Sequence, residues 1–202
     1  AGIAKVSLYV EGCPDQKKVL EFEVEDNGSS TGNTGLLAKA LSDHLEGTLI
    51  STEEALSKAP SQTVDSLPQV VFVGFWTDKG SCDTDTLNLL STLHGKQILL
   101  FGTAGFGQSE SYFSQILSRV SAVIPSDSQF LSGFMCQGRM PSSVRSRYES
   151  LLGAAGSDEE RARLSALIQN FDSALSHPDS SDLQSLLSWA DSQLPAVSKE
   201  IC

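Results

Sequence analysis

The sequence predicts an α/β protein with a three-layer, doubly wound, five-stranded parallel sheet. Two observations lead to this fold class. Apolar runs of strand length occur at 70–75, 97–105 and 130–136, and such runs are typical of parallel strands covered on both faces. Segments with helical spacing of apolar residues separate these runs. This alternation predicts βαβ units with helices on both faces of the sheet.

The individual elements are predicted from local patterns. "GTLIS" at 47–51 is a weak strand candidate. From 142 onward the chain is predicted to be helical, at 142–152, 157–175 and 177–194; the last helix closes the sheet, so that about 142–176 forms a helical insertion. Three helical stripes accompany the strands: Leu36, Leu37, Ala40, Leu41 and Leu45; Leu87, Leu90 and Leu93; and Tyr112, Phe113, Ile116, Leu117 and Val120.

The N-terminal segment, 1–25, does not identify the first strand. In "VLEFEVE" (19–25) apolar residues alternate with glutamates, which predicts a strand with one wet face. A central parallel strand should not bury three carboxylates. Either this strand lies against water or "AKVSLYV" (4–10) supplies the strand, with 11–28 as an excursion. Both alternatives stay open, and residues 26–202 are predicted to form the main domain.

Composition excludes several classes of function. The 202 residues include 14 Lys plus Arg and 25 Asp plus Glu, a net charge of −11. Such a surface repels nucleic acid and anionic membranes. The four cysteines form no C-x-x-C pair, so we expect a cytoplasmic protein without a disulfide framework. The histidines show no metal-binding spacing, and G-x-S-x-G is absent, so neither a metal site nor a hydrolase is predicted.

One polar run precedes the first helical stripe and indicates a binding loop. Its hydroxyls, together with the backbone N–H groups of the helix start, form a place that attracts an anion. The run contains no Lys or Arg, so it is not a Walker A loop, and a neutral cradle suits one terminal phosphate monoester. The alternative is a polar turn with a good N-cap. The residues of the run are Ser29, Ser30, Thr31, Gly32, Asn33 and Thr34.

"SSTGNT" followed by a Leu/Ala stripe resembles the phosphate-binding loop of flavodoxins, which hold flavin mononucleotide (FMN). The resemblance covers roughly residues 26–195 and implies the flavodoxin-like version of the predicted fold. "FWTDKGSCDTDT" (75–86), "GTAGFGQSESYF" (102–113) and "FMCQGRMP" (134–141) are similar to the flavodoxin-like proteins found with bilirubin-reducing enzymes in gut bacteria.

The resemblance implies roles for three loops. The run 29–34 holds the phosphate, and loops 76–80 and 103–107 flank the isoalloxazine. Trp76 is expected to stack on the flavin. Cys82 is interpreted as an ordinary thiol, and no side chain is predicted to be catalytic. Arg139, Arg145 and Arg147 form a basic cluster that is typical of a solvated helix face, although it could contact a partner or the phosphate. The cofactor-binding residues of the two flanking loops are Trp76, Thr77, Lys79 and Gly80, and Thr103, Ala104, Gly105, Phe106 and Gly107.

The resemblance further implies an FMN electron carrier, or a subunit of an oxidoreductase, rather than a free-standing enzyme. The recipient of the electrons is expected to be a partner reductase with a basic docking face. The candidate substrate of that reductase is bilirubin or a related tetrapyrrole. The chain is expected to be a monomer or weak dimer. Two alternatives remain open: an NAD(P)H-dependent FMN or quinone reductase on the same fold, and a domain that has lost its cofactor.

Overall fold

The computed structural model describes residues 6–10, 31–57, 69–107 and 109–201. Strands and helices alternate through most of this part, as the sequence predicts. The strands are β1 (Val6–Val10), β2 (Thr48–Ser51), β3 (Val70–Trp76), β4 (Gln97–Ala104) and β5 (Gln129–Gln137). The helices are α1 (Asn33–Leu45), α2 (Thr52–Ser57), α3 (Thr84–Thr92), α4 (Glu110–Ser121), α5 (Ser142–Ala154), α6 (Asp158–Ala174) and α7 (Ser180–Ile201).

The sheet has the strand order β2-β1-β3-β4-β5. Strands β3, β4 and β5 are parallel, and their register places Trp76 beside Thr103 and Thr103 beside Cys136. The carboxyl ends of these three strands therefore meet at one edge of the sheet. In an open α/β sheet this is the edge where ligands bind, because the loops that leave it converge there.

The prediction of an entirely parallel sheet is wrong at β1. This strand runs antiparallel to both β2 and β3, and Val10 pairs with Val70 at the start of β3. Its carboxyl end thus lies at the edge opposite the ligand edge. An apolar run predicts a strand but not its direction, which depends on the path of the connecting chain. The position of β1 matches the alternative in which 4–10 supplies a strand; the competing segment, 19–25, lies outside the described residues.

Apolar side chains from both faces of the sheet form two cores. On one face, α1 and α7 cover the sheet, with Leu41 and Leu186 packing near Phe72. The ring of Phe72 meets Trp189 edge-on, with centroids 6.0 Å apart. On the other face, α3 and α4 contribute Leu89 and Ile116 to a second core. Three layers result, and β3 and β4 are buried on both sides, as their unbroken apolar sequences predict.

Helix α1 turns a different face to the core from the predicted stripe. Leu37, Leu41 and Leu45 are buried as expected, but Leu36 is 40% exposed. Asn33, Thr34 and Ser42 take up the remainder of the buried face. Hydropathy alone favours leucines over these small polar residues, so the stripe was predicted about one residue out of phase.

Helices α5 and α6 lie within the segment 142–176 and pack against each other. Arg145 of α5 forms an ion pair with Asp172 of α6 at 3.0 Å and another with Glu149. The hydrogen bond from Arg145 lowers the pKa of Asp172, and the same bond raises the pKa of Arg145. None of the helices among the described residues is long and apolar enough to cross a membrane.

Candidate functional site

A cavity of about 670 Å³ opens where the carboxyl ends of β3, β4 and β5 meet. This volume lies within the range of about 300–1,000 Å³ that is usual for cofactor sites. The cavity brings together residues from all three predicted loops. The predicted site residues that line it are Thr31, Asn33, Thr34, Trp76, Thr77, Lys79, Gly80, Thr103, Ala104, Gly105 and Phe106.

Two of the four remaining predicted site residues are described and do not belong to the lining. Gly32 and Gly107 lie in the same loops but do not border the cavity. Gly32 is the N-cap of α1, and its carbonyl accepts the N–H of Leu36 at 3.0 Å. Ser29 and Ser30 lie outside the described residues. The structure therefore places the second half of the predicted phosphate loop and leaves the first half as a prediction.

The start of α1 lies at one end of the cavity. No side chain in the described part of the chain caps this helix, and its first turn carries no acidic residue. Thr34 is buried, and its hydroxyl donates to the carbonyl of Phe75 at 3.3 Å and lies 3.4 Å from the hydroxyl of Thr103. These contacts fix the helix start against the ends of β3 and β4. The positive end of the helix dipole thus faces a cavity with no compensating acid in that turn.

Three buried polar atoms of lining residues have no hydrogen-bond partner among the described residues. They are Oδ1 of Asn33, Nε1 of Trp76 and Oγ1 of Thr77. A buried polar group without a partner costs about 1–3 kcal/mol, so such groups are expected to bond to a ligand or water. Two of these residues can donate and two can accept a hydrogen bond. Such a set fits the polar edge and polyol chain of a flavin.

The loop after β3 begins with a tight turn. Asp78 and Ser81 exchange backbone hydrogen bonds at 2.8 and 2.9 Å, and the two residues between them, Lys79 and Gly80, have φ values of 47° and 82°. Positive φ at both central positions is the type I′ geometry, which favours glycine. Arg119 of α4 donates to the carbonyl of Gly80 at 3.1 Å. In this conformation the Gly80 carbonyl is tethered to α4.

The loop after β4 is held by two buried amides. The carbonyl of Gly105 accepts a hydrogen bond from Gln137 Nε2 at 3.0 Å and another from Asn170 Nδ2 at 2.9 Å. Gln137 also donates to Asn170 Oδ1 at 3.2 Å. Asn170 belongs to α6, so the predicted insertion directly positions the predicted flavin loop.

The loop after β5 is a part of the site that sequence reasoning missed. Gly138 donates its N–H to the Ala104 carbonyl at 2.9 Å, which brings the chain beside the β4 loop. A signal was present, because the parallel strand at 130–136 must end at the same edge as the others. The lining residues that were not predicted are Tyr112, Arg119, Gly138, Arg139, Met140, Pro141 and Val144.

The cavity as a whole is not neutral, although a neutral cradle is predicted for the run 29–34. Its charged lining residues are Lys79, Arg119 and Arg139, all exposed cations, and none of the described lining residues is a carboxylate. Arg139 lies close to the predicted phosphate loop, whereas Arg145 of the same basic cluster is bound to Asp172 on α6. The sequence window 29–34 contains no cation, but the fold brings one in from a distant segment.

Neither described cysteine lines the cavity. Cys82 and Cys136 are both buried. Burial, with smaller contributions from Asp182 and Asp179, raises the pKa of Cys136 well above its usual range. Because the thiolate is the reactive form, this thiol is expected to be unreactive.

His177, Asp179 and Asp182 lie together, which sequence spacing did not indicate. Their potential ligand atoms are within 4.8 Å of one another. Helix capping accounts for the cluster. Asp179 accepts the N–H groups of Ser181 at 2.8 Å and Asp182 at 3.0 Å, and His177 is bonded to Asp182 at 2.6 Å. Because capping explains the cluster, it gives no test of the prediction that the protein holds no metal, and that statement stays a prediction.

The comparisons with known proteins agree with this arrangement. A model of the flavodoxin domain matches residues 27–190. The chain is 38% identical over 135 residues to a flavodoxin-like domain-containing protein BilS of Clostridium symbiosum (strain WAL-14163), covering 64% of this chain and 69% of that protein. It is 31% identical over 160 residues to a protein of the same name from Clostridioides difficile (strain CD3), covering 77% of this chain and 86% of that protein. The chain belongs to the flavodoxin family.

Proposed function

We propose that the protein binds FMN in the 670 Å³ cavity and transfers electrons to a partner reductase. The observation that carries this proposal is the meeting of three loops in one cavity: the helix start at Thr31–Thr34, the β3 loop and the β4 loop. Membership of the flavodoxin family supports the same cofactor. When bound, FMN supplies the redox chemistry, and the protein supplies binding, orientation and electrostatics.

The roles of the residues follow from their positions. The start of α1, with Thr31, Asn33 and Thr34, would hold the phosphate end of the cofactor. Trp76 and Phe106 offer aromatic faces beside the β3 and β4 loops, where a planar ring can stack. The unpartnered Nε1 of Trp76 and Oγ1 of Thr77 would bond to polar atoms of the cofactor. Ser29, Ser30, Gly32 and Gly107 remain proposed members of the same loops.

The chemistry of the lining favours a carrier over an enzyme with its own acid or base. The described lining residues include no aspartate, glutamate, histidine or cysteine. Those side chains are the usual proton carriers near neutral pH. Electron transfer through a flavin needs no proton donor acting on an organic substrate, so this lining is sufficient for a carrier.

We further propose that the recipient is a reductase that acts on bilirubin or a related tetrapyrrole. The resemblance of the loops at 75–86, 102–113 and 134–141 supports this, as do the two relatives named BilS. The net charge of −11 for the whole chain favours a partner with a basic docking face. The cationic lining residues are expected to face the cofactor rather than that partner.

The remaining predictions about the chain are retained as proposals. The main domain is proposed to comprise residues 26–202 with a helical insertion at about 142–176, and the segment 1–25 adds β1 to its sheet. The protein acts as a monomer or weak dimer. A reducing compartment such as the cytoplasm is proposed because the four cysteines form no C-x-x-C pair and are too sparse for a disulfide framework.

Titration of the purified apoprotein with FMN, followed by flavin fluorescence, tests the proposed cofactor. We expect one FMN per chain and at least about tenfold weaker binding of riboflavin, which lacks the phosphate. A protein that binds neither flavin would disprove the proposal. The FMN-loaded protein is then mixed with NADPH without oxygen. Slow bleaching is expected for a carrier, whereas rapid bleaching without a partner would favour the FMN or quinone reductase alternative.

A further inference from the structure

We infer that Arg139 is a phosphate-binding residue of the cavity and supplies the positive charge that the loop 29–34 lacks. The inference rests on the proposed FMN site and adds a residue from the β5 loop to it. Four observations support it: the fixed backbone of Arg139, the position of its guanidinium, the unused capacity of that group, and the acidity of the surrounding protein.

The backbone of Arg139 is held on both sides. Its N–H donates to the carbonyl of His177 at 3.0 Å, and its carbonyl accepts a hydrogen bond from Asn33 Nδ2 at 2.8 Å. Gly138 permits this close approach, because a Cβ there would lie 2.5 Å from Asn33 Nδ2 and 3.0 Å from Thr103 Cβ. The side chain of Arg139 therefore begins from a fixed point beside the first residue of α1.

The guanidinium of Arg139 lies at the mouth of the predicted phosphate site. Its Nη2 is 3.5 Å from the carbonyl oxygen of Thr31, which precedes the N-cap Gly32. A contact of this length to a neutral acceptor is at the outer limit of a hydrogen bond. Such a contact is easily exchanged for a shorter bond to a charged oxygen.

The donors of this guanidinium are largely unused. Within the described part of the chain, Arg139 forms no ion pair, and Thr31 is the partner of its side chain. An arginine offers five N–H donors in a planar fork that matches phosphate geometry. Arg145, by contrast, already bonds to Asp172 and Glu149. Of the arginines at 139, 145 and 147, only Arg139 lines the cavity.

The charge of the protein explains why a cation is needed here. A phosphate monoester carries about −1.5 to −2 charges at pH 7, and it must approach a chain of net charge −11. The helix start contributes a partial charge of only about +0.5. Arg139 adds a full positive charge at the same place, where the first turn of α1 has no acidic residue.

The test compares FMN and riboflavin binding in the full-length apoprotein by fluorescence titration. Arg139→Gln is expected to weaken FMN binding by about tenfold or more while riboflavin binding changes less than about twofold. Raising the ionic strength should weaken FMN binding less in Arg139→Gln than in the wild type. Arg139→Lys should show a smaller loss of FMN affinity, because it keeps the charge but not the fork. Arg147→Gln, an exposed arginine outside the cavity lining, is the matched control.

The outcomes separate the two proposals. A wild-type protein that binds no FMN overturns the proposed function itself. If the wild type binds FMN and Arg139→Gln binds it equally well, the role of Arg139 is refuted and the FMN site stands. Equal losses for FMN and riboflavin would also refute it, because they would show that Arg139 supports the fold of the loop rather than the phosphate.

Discussion

The start of α1 differs from the capped starts of α3, α4 and α6; the start of α5, at Pro141, also lacks a side-chain cap. Asp83 caps α3, and its carboxylate accepts the N–H groups of Asp85 and Thr86 at 3.0 and 3.1 Å. Ser109 and Ser157 cap α4 and α6 in the same way. Helix α1 has no such side chain among the described residues and no acid in its first turn. The capped starts stabilise the protein, whereas the start of α1 lines the cavity and is the proposed phosphate site.

The comparison shows how a fold can separate stability from binding in the same structural element. In each capped helix, the side chain of the N-cap residue accepts the N–H groups of the first turn, so the stabilisation comes from residues that are close in the sequence. The cavity end of α1 is instead completed by distant segments, through Phe75, Thr103 and Arg139. Substitutions at a capped helix start should therefore lower stability and leave FMN binding unchanged. Substitutions at the start of α1 should instead weaken FMN binding.

The largest effect is expected from removing side-chain hydroxyls at the proposed phosphate site. The double variant Thr31→Ala, Thr34→Ala should lower FMN affinity by roughly 100-fold, because two hydroxyls worth about 1–1.5 kcal/mol each are lost. Riboflavin affinity should barely change. The measurement is the same fluorescence titration, and Thr31→Ser with Thr34→Ser is the control that keeps both hydroxyls. Equal losses for the two flavins would mean that these threonines do not contact the phosphate.

The next effect concerns the amides that position the β4 loop. Asn170→Ala removes one bond to the Gly105 carbonyl and one from Gln137, which should lower the free energy of unfolding by about 1–3 kcal/mol. FMN and riboflavin affinity should fall together, because this loop lies away from the phosphate end. Urea unfolding and both titrations measure this, with the exposed Gln169→Ala as control. A selective loss of FMN binding would contradict the assignment.

A smaller effect is expected at a capped helix start. Asp83→Ala should lower the free energy of unfolding by about 1 kcal/mol, the usual cost of a lost N-cap. FMN affinity should stay the same, because Asp83 does not line the cavity. Asp83→Asn keeps a capping oxygen and should recover most of the stability. If Asp83→Ala altered FMN binding while leaving stability unchanged, the contrast between the helix starts would fail.

The smallest effect is a pH dependence at the start of α7. The backbone N–H of Asp182 is the main cause of the lowered pKa of Asp179. A lowered pKa means that the stabilisation is present above the unfolded pKa of about 3.9 and is lost as pH falls through the folded value. The stability difference between wild type and Asp179→Asn should therefore be largest above about pH 5 and shrink in acid. FMN affinity at neutral pH should be the same in both.

Much of the ligand edge could be predicted because its signals are local. The apolar runs of β3 and β4 and the polar residues that follow them place Trp76, Thr77, Thr103 and Gly105 at one edge. The direction of β1 could not be predicted, since a strand of five residues pairs equally well in either direction. For a different reason, Asn170 was missed and a phosphate contact of Arg139 was only one alternative for its basic cluster. These contacts join residues that are more than 60 positions apart in the sequence: Arg139 bonds to Thr31, and Asn170 bonds to Gly105.

The bonds from Gln137 and Asn170 to Gly105 also affect how the chain can be shortened. A protein engineer who wants a compact carrier would first excise α5 and α6, since α5 buries no residue. That deletion would remove Asn170 and leave the Gly105 carbonyl with Gln137 as its side-chain donor. A minimal version of this protein would therefore need a replacement amide on β5 or α7 to hold the loop after β4 in place.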